Sequence, residues 1–463
     1  KENSLFYALF LDTVNVPKGR VYELKTNGYY PLLNSPVTSE NRHTVIIGSD
    51  PTPLVNDKNS SPPLICSVVA EMEGLPAFGI RGDFTIKNCK LVPANAAGAL
   101  GWSFFYTKKS DLNLLFENCL FEHTRWVFVY NDAEHCNVTF KDSYFVNMSG
   151  YSQDDYMGGV IHSGESLESL VVENCTFIMA QGDLFNLGSN SANRTILNHN
   201  TFINCAGHIL LSTCLRYICY KNLGLINNVS LTNNMFINCN LQPLDSCMIP
   251  DSDGKDYPAG IVNTNQTNID SINTTQIKYL AQNNLAYWHP IIANCDSILN
   301  ANTVNGSNCW QPQTFIMTSV TQELFNEDGD YPYLVTDTWK NKMPAFTKTQ
   351  DLFTTQLENI TKFVVEFADT SEQAFLPHWR VINNASNQFI YPDWPIPIDL
   401  SYSDADLLKG GIGGFPLGDL NWFPTKKAEW LKQRDSEYNN ISEALNKGEL
   451  VTAVQNQEIF PSQ

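Results

Sequence analysis

A short pattern of alternating apolar and polar residues recurs seven times between residues 84 and 285, and it limits the folds open to this chain. The copies are FTIKNCKL (84–91), LNLLFENCLF (112–121), VTFKDSYF (138–145), LVVENCTF (170–177), TILNHNTF (195–202), VSLTNNMF (229–236) and KYLAQNNL (278–285). Each copy ends on a large apolar anchor, with Cys, Ser or Asn two residues earlier and another apolar residue five residues earlier. The anchors are Leu91, Phe121, Phe145, Phe177, Phe202, Phe236 and Leu285, with spacings of 30, 24, 32, 25, 34 and 49 residues.

This repeat predicts a parallel β-helix, a solenoid in which each copy contributes a strand to one coil. The alternation is that of a strand with one buried face, and a single short strand cannot bury that face without stacked neighbours. Repeats of roughly 20 to 30 residues suit one coil, and in-register stacking would align the anchors and the Cys, Ser and Asn positions as ladders. An antiparallel sandwich is the alternative, but its hairpins would reverse strand polarity between copies.

The pattern divides the chain into three parts. Residues 1–83 are predicted to form N-terminal strands and a cap, residues 84–348 the β-helix body, and residues 349–463 a C-terminal extension. Apolar residues at helical spacing predict helices near 351–375 and 425–445, with Asp351 and Thr425 as N-caps. The segments SLFYALFLDTV and ELVTAVQNQEIFPSQ alternate like strands. We therefore expect one terminal segment to add to a β-sheet of a neighbouring copy, and we prefer Ser4–Val14 to residues 449–460 for this role; pairing within the chain, as part of a cap, is the alternative.

Composition limits the classes of ligand that the chain is expected to bind and the compartment in which it is expected to occur. The formal net charge of −19 argues against binding nucleic acid, anionic lipid or polyanionic glycans. No run of about 20 apolar residues is present, so no membrane span is predicted. The first residue is not Met, and twelve cysteines suit an oxidising compartment; both favour a mature, secreted chain at the cell surface or beyond. Cys205 with Cys239 and Cys295 with Cys309 are the candidate disulfides, because the first pair would stack on adjacent coils and the second closes a short loop.

Two other kinds of site are suggested by local sequence. Asp251, Asp253 and Asp256 form an oxygen-rich run able to hold calcium, although Gly254 is not where an EF-hand loop needs it, and a solvated turn is the alternative. No other cofactor is predicted. The N-glycosylation candidates share the Asn-x-Ser/Thr sequon. They are Asn59, Asn137, Asn147, Asn174, Asn193, Asn228, Asn265, Asn273, Asn305, Asn359, Asn384 and Asn440.

The repeat resembles the pectin-lyase-like right-handed parallel β-helix superfamily over roughly residues 21–300. The front of the chain (VYELKTNGYYPLL, HTVIIGSDP, FGIRGDFTIKNCKL) and the later PLGDLNWFP are similar to secreted, mostly uncharacterised β-helix proteins of Bacteroidota and related bacteria. The resemblance implies a right-handed, all-β solenoid exported from the cell, and it implies little about activity.

Catalytic signatures of that superfamily are missing from the sequence. The hydrolase tripeptides Asn-Thr-Asp, Gly-His-Gly and Arg-Ile-Lys do not occur, and neither does an Arg-x-Pro-x-x-Arg lyase motif. The acidic pair Asp154-Asp155 lies near His162 but occurs once, and His199 is expected on an outward position beside Asn233. The sequence therefore favours a non-enzymatic, self-assembling subunit of a surface layer, sheath or filament. The alternative is a carbohydrate-active enzyme or glycan-binding module, which exposed aromatics beside carboxylates on neighbouring coils would favour.

Overall fold

The structure is a computed structural model. It describes residues 4–12, 19–51, 60–67, 77–93, 102–148, 158–188, 190, 192–211, 228–241, 243–245, 260–262, 277–295, 298, 310–325, 331–368 and 396–452.

Three long parallel sheets form the predicted solenoid, and the chain visits them in the order A, B, C once per coil. Sheet A contains Val21–Leu24, Thr44–Gly48, Phe84–Lys87, Asn113–Glu117, Asn137–Lys141, Ser169–Glu173, Thr195–Asn198, Val229–Thr232, Tyr279–Gln282 and Leu334–Thr336. Sheet B contains Tyr29–Leu32, Leu64–Ser67, Lys90–Val92, Leu120–Glu122, Tyr144–Met148, Thr176–Ala180, Thr201–Cys205, Met235–Ile237 and Leu285–Tyr287. Sheet C contains Phe78–Ile80, Ser103–Thr107, Val127–Asn131, Ile161–Ser163, Phe185–Asn186 and Leu210–Leu211. The architecture is therefore the expected parallel β-helix.

The aromatic ladder is confirmed from Leu91 to Phe236. Leu91, Phe121, Phe145, Phe177, Phe202 and Phe236 are paired in register on successive strands of sheet B. Neighbouring phenylalanine rings are stacked with centroids 4.4–5.0 Å apart, and every member is fully buried. Offset stacking of this kind adds to the hydrophobic stabilisation of the core.

The predicted register of the seventh copy is wrong by one residue. Phe236 is paired with Ala286, and Leu285 is paired with Met235. The amide ladder confirms the shift, because Asn234 Nδ2 donates to Asn284 Oδ1 at 3.2 Å, so Asn284 and not Asn283 continues it. Two adjacent Asn residues made the sequence ambiguous, and the hydrogen bonds of the buried amide decided the register.

A repeated turn explains why the residue that precedes each Cys, Ser or Asn of the ladder is Asn, Asp or His. This residue joins sheet A to sheet B and has a positive φ of 52° to 60°, a backbone region in which Asn and Asp are favoured over most side chains. The residues at this position, here called the A–B turn row, are Asn88, Asn118, Asp142, Asn174, His199, Asn233 and Asn283. The polar end of the repeat is therefore a turn signal as well as a ladder.

The N-terminal segment is an α-helix, Ser4–Leu11, and the predicted strand is wrong. Leu5 and Leu9 are four residues apart on one helix face, and both are buried in the main core. A helix satisfies its own backbone groups, and it packs beside the first strand of sheet B, Tyr29–Leu32, so that these two side chains enter the core. The expectation that Ser4–Val14 adds as a strand to a neighbouring copy is thereby contradicted.

The remaining helices are short and mostly follow the body. They are Pro290–Ala293, Ser319–Leu324, Thr355–Ala368, Pro424–Trp430 and Arg434–Lys447, with 3₁₀ turns at Ile412–Gly414 and Leu420–Trp422. Two antiparallel pairs complete the described elements, Pro243–Asp245 with Trp310–Pro312 and Phe346–Lys348 with Asp399–Tyr402.

Both predicted C-terminal helices exist, with different limits. The first begins at Thr355, because residues 351–354 form a turn, and its predicted part beyond Ala368 lies outside the described residues. The second is divided in two at Leu431–Gln433, and its N-cap is Phe423 with Pro424 at the first helical position, not Thr425. Proline suits that position because its fixed φ is helical and its missing N–H would be unpaired there.

Cys205 and Cys239 lie on neighbouring coils as predicted, but both are free thiols. Each is fully buried, and each Sγ lies near a backbone carbonyl oxygen of the preceding coil, that of Phe177 for Cys205 and that of Phe202 for Cys239. Neighbouring strands are about 4.8 Å apart, whereas a disulfide needs Cβ atoms about 3.8 Å apart. In-register stacking therefore disfavours the bond. Cys295 is buried and Cys309 lies outside the described residues, so that pairing stays a prediction.

Candidate functional site

Five aromatic side chains form a partly exposed surface on the outside of sheet C, here called the aromatic face. They are Trp102, Tyr106, Trp126, Tyr130 and His162. Their ring centroids are linked at 4.9–6.1 Å, from Trp102 through Trp126 and Tyr130 to both Tyr106 and His162. Unlike the phenylalanines of the ladder, none of them belongs to the buried core. A contiguous, partly exposed aromatic surface of this kind is typical of an interaction site.

Strand register creates this face. Tyr106, Tyr130 and His162 are direct partners on three successive strands of sheet C. Ser103 is paired with Val127, which brings Trp102 beside Trp126 at the start of the same two strands. Two columns of outward side chains therefore run along the solenoid axis, one over three coils and the other, Trp102 and Trp126, over two. The sequence pattern did not reveal them, because the strands of sheet C lie outside the seven repeats.

Charged groups border the aromatic face. The Lys108 ammonium lies 4.7 Å from the centre of the Tyr106 ring, and the Arg125 guanidinium lies 4.2 Å from that of Trp102. Tyr106 donates its hydroxyl proton to Asp132 Oδ2 at 3.1 Å. Cation–π contacts hold the two cations over the faces of these two rings, so the aromatic face combines apolar surface with fixed donors and one carboxylate. Arg125 is thus part of this face.

The face also contains polar nitrogens that lack partners. Within the described part of the chain, no hydrogen bond is made by Trp102 Nε1, Trp126 Nε1 or His162 Nδ1. Burial lowers the pKa of His162, although Asp183 acts in the opposite direction. The imidazole is therefore neutral at neutral pH. Buried donors and acceptors are normally paired, so these atoms are candidates for bonding to a bound molecule or to water.

A His–Asp pair continues this surface on the following coils. His208 Nδ1 and Asp183 Oδ1 are 2.8 Å apart, and Asn186 donates to the other oxygen of Asp183 at 3.2 Å. Asn186 is the in-register neighbour of His162, which joins the pair to the aromatic face. Asp183 and His208 are each only 3% exposed. Burial makes them a positioning and packing pair rather than an accessible acid and base.

A different outer surface, the A–B turn row from Asp142 to Asn233, is covered by the C-terminal segment (residues 396–452). Ile412 N donates to Asn233 Oδ1, Asp419 N to Thr201 Oγ1, and Leu420 N to Asn174 Oδ1, all within 2.9 Å. The segment therefore bonds to three successive coils. Near its end, Val451 and Gln282 exchange two hydrogen bonds on a further coil.

Buried charges accompany these hydrogen bonds. Arg434 pairs with Glu173 at 2.5 Å and Lys427 with Asp142 at 2.9 Å. Burial raises the pKa of Asp419 to about 7, although its hydrogen bonds from Thr176 and Asn421 act in the opposite direction. Such groups are costly to bury unless they are paired, so this network fixes the segment in one position.

His199 lies beside Asn233 in the outer A–B turn row, as expected, but the C-terminal segment covers it. It is fully buried, and its Nε2 lies 3.4 Å from Glu437 Oε1. Burial raises the pKa of Glu437, but His199 and the neighbouring hydrogen bonds outweigh this, so its pKa lies below the usual value. His199 is thus a structural contact of the C-terminal segment.

The remaining predicted sites are the acidic residues of two loops and the glycosylation sequons, and only some of them lie among the described residues. Asp154, Asp155, Asp251, Asp253 and Asp256 lie outside the described residues, and so do the sequons Asn59, Asn265, Asn273, Asn305 and Asn384. Asn147 and Asn174 are at most 1% exposed and cannot accept a glycan in the folded chain. Exposed or partly exposed sequons remain at Asn137, Asn193, Asn228, Asn359 and Asn440.

Metal ligands, membrane-spanning helices and sequence relatives are three further sources of information on function. In the described ranges no cluster of three or more His, Cys, Asp or Glu side chains is arranged to hold a metal ion. Within the same ranges no helix is long and apolar enough to cross a membrane. No protein-family model matches the chain, and no curated protein is significantly similar to it in sequence.

Proposed function

We propose that this protein is an extracellular β-helix that binds carbohydrate chains on its aromatic face. The observation that carries the proposal is the pair of outward aromatic columns on three successive coils of sheet C. Sugars present apolar C–H surfaces between hydroxyl groups, and they are recognised by aromatic rings with a few fixed polar groups beside them. Secretion and the resemblance to pectin-lyase-like proteins belong to the same proposal.

The chemistry of the face favours binding over cleavage, and neutral glycans over acidic ones. Of the two carboxylates that the structure ties to the rings of this face, Asp132 is exposed, whereas Asp183, two coils away, is buried. A glycosidase of the usual kind needs two accessible carboxyl groups about 5–10 Å apart. The net charge of −19 opposes a polyanionic ligand.

The test compares Trp126→Ala and Tyr130→Ala with the control Tyr438→Ala. Tyr438 is also partly exposed and also lies beneath a cation, Arg194, but it is outside the aromatic face. Binding to a panel of neutral and acidic polysaccharides is measured by affinity electrophoresis and calorimetry. We expect each face variant to weaken binding of a neutral glycan at least about fivefold, since one stacked ring contributes about 1 kcal/mol or more and about 1.4 kcal/mol is a tenfold change. Unchanged binding in both face variants, or no binding by the wild type, would contradict the proposal.

A second function, association with further copies of this chain in a layer or filament, is favoured by one observation. Ten large apolar side chains in the described ranges are exposed, and seven of them lie between residues 7 and 37. These seven are Tyr7, Phe10, Leu11, Val21, Tyr29, Leu33 and Val37. Apolar surface concentrated at one end of an elongated protein is typical of an interface. Sedimentation velocity over a wide concentration range tests it, and a monomer throughout would reject it.

A further inference from the structure

The two ends of sheet A carry complementary strand edges. Val21–Leu24 is the first strand of this sheet and Leu334–Thr336 is the last, and every pair between them is parallel. Each terminal strand therefore has one edge that no described strand covers. Because both strands run in the same direction, the last strand of one copy matches the first strand of another without reversal.

From these edges we infer that copies of this chain stack head to tail, with Leu334–Thr336 of one copy pairing in parallel with Val21–Leu24 of the next. The inference rests on the proposed self-association and specifies its geometry. Such a contact is heterologous, so it repeats along a line and produces a filament rather than a closed dimer. Parallel strand addition supplies its backbone hydrogen bonds.

The side chains at the two ends agree with this contact. At the first end, Tyr7, Phe10 and Leu11 are 54–75% exposed. They adjoin a cavity of about 580 Å³ lined by Phe6, Phe10, Val37 and Arg81. At the other end, Gly448 lies against the backbone of Tyr333, next to the last strand, and Leu450 close by is 39% exposed. Apolar groups are therefore exposed at both ends of sheet A.

The charges at the two ends of sheet A favour a contact between the first end of one copy and the last end of another over a contact between two last ends. Residues 1–43 contain five Lys or Arg and four Asp or Glu, whereas residues 320–337, around the last strand, contain five acidic residues and no Lys or Arg. Glu323 and Glu449 are exposed at that end. Two last strands would repel each other, but the near-neutral first end is able to approach the acidic one.

The backbone hydrogen bonds show which N–H groups lie on the open edges, and these are the groups whose removal should prevent strand pairing between copies. Ser49 N donates to Leu24 O, so the amide and carbonyl of Leu24 point towards the second strand of sheet A. Glu23 is adjacent in sequence, and its own N–H and C=O therefore point to the open edge. At the other end, Asp337 N donates to Ala281 O, which leaves the N–H of Thr336 on the open edge.

The experiment compares Glu23→Pro with Glu23→Ala in the full-length chain, using sedimentation velocity and negative-stain microscopy. Proline removes the outward N–H and no internal hydrogen bond, whereas alanine removes only the side chain. We expect Glu23→Pro to abolish end-to-end polymers and Glu23→Ala to retain them. Circular dichroism and thermal unfolding verify the fold of both variants.

Mixing provides a second readout that does not depend on the stability of one variant. Glu23→Pro retains a competent last strand, so small amounts added to the wild type should cap filaments and shorten them. Thr336→Pro should cap the opposite end, and Leu431→Asp, at an exposed apolar residue on the C-terminal segment, should do neither. If the wild type is monomeric, the proposed association itself fails. If it polymerises and neither proline variant shortens the polymers, only the sheet A contact is wrong.

Discussion

One row of outward side chains on sheet A has different surroundings in the early and in the later coils of the solenoid. Lys87, Glu117, Lys141 and Glu173 are in-register neighbours, so charges of alternating sign lie next to one another. In the Lys87–Glu117 pair both side chains are about one third exposed, whereas Glu173 is 4% exposed beneath Arg434. From Glu173 onward the column is covered by the C-terminal segment.

This contrast shows that one position in the repeat has two energetic roles. An exposed ion pair contributes little, because water already solvates both charges. The same pair under a covering segment must satisfy every polar group, and the loss of one partner leaves a buried charge. The early coils thus keep an open surface, and the later coils hold a specific intramolecular interface.

The largest expected effect concerns the core that both regions share. Phe177→Ala, below the covered coils, and Phe121→Ala, below the open ones, each remove a fully buried ring of the ladder. Each should lower the free energy of unfolding by about 3–5 kcal/mol, measured with denaturant. Nearly equal losses would confirm that the covering segment leaves the core unchanged. If Phe177→Ala had no effect, the in-register stacking would be wrong.

The next effect separates the two regions. Arg434→Ala should lower the free energy of unfolding by about 3 kcal/mol, because Glu173 remains buried without its main partner. Lys87→Ala, the matched change in the open region, should cost less than about 1 kcal/mol. Hydrogen exchange should locate the Arg434→Ala effect in residues 396–452. Equal costs for the two variants would show that the covering segment adds nothing to the pair.

The smallest effect is a pH dependence of the covered region. The pKa of Asp419 is raised to about 7, so the folded chain binds its proton more tightly than the unfolded chain. Stability from this group is therefore complete below pH 4 and is lost as the pH rises to 7. We expect Asp419→Asn, which stays neutral, to gain at least about 1 kcal/mol relative to the wild type between pH 5 and pH 8. A constant difference over that range would contradict the raised pKa.

Sequence periodicity predicted the fold because both ladders repeat at a fixed offset within each copy. It failed at the seventh copy, where neighbouring asparagines allowed two registers. It also failed at Ser4–Leu11, since an apolar segment this short suits a strand as well as a helix. Trp102, Trp126 and Tyr130 could have been noticed only as unusual aromatics between copies, because their alignment depends on register across loops of variable length.

By itself, the sequence determined a stack of parallel strands with an aromatic core, since alternation and a recurrent anchor have few other solutions. Tertiary structure alone decided which outer surface stays open and which is covered. That choice depends on contacts of residues 396–452 with the A–B turn row far earlier in the chain, 179 positions apart for Ile412 and Asn233 and 246 for Leu420 and Asn174. Periodicity is a local property, and it contains no information about contacts between segments so far apart.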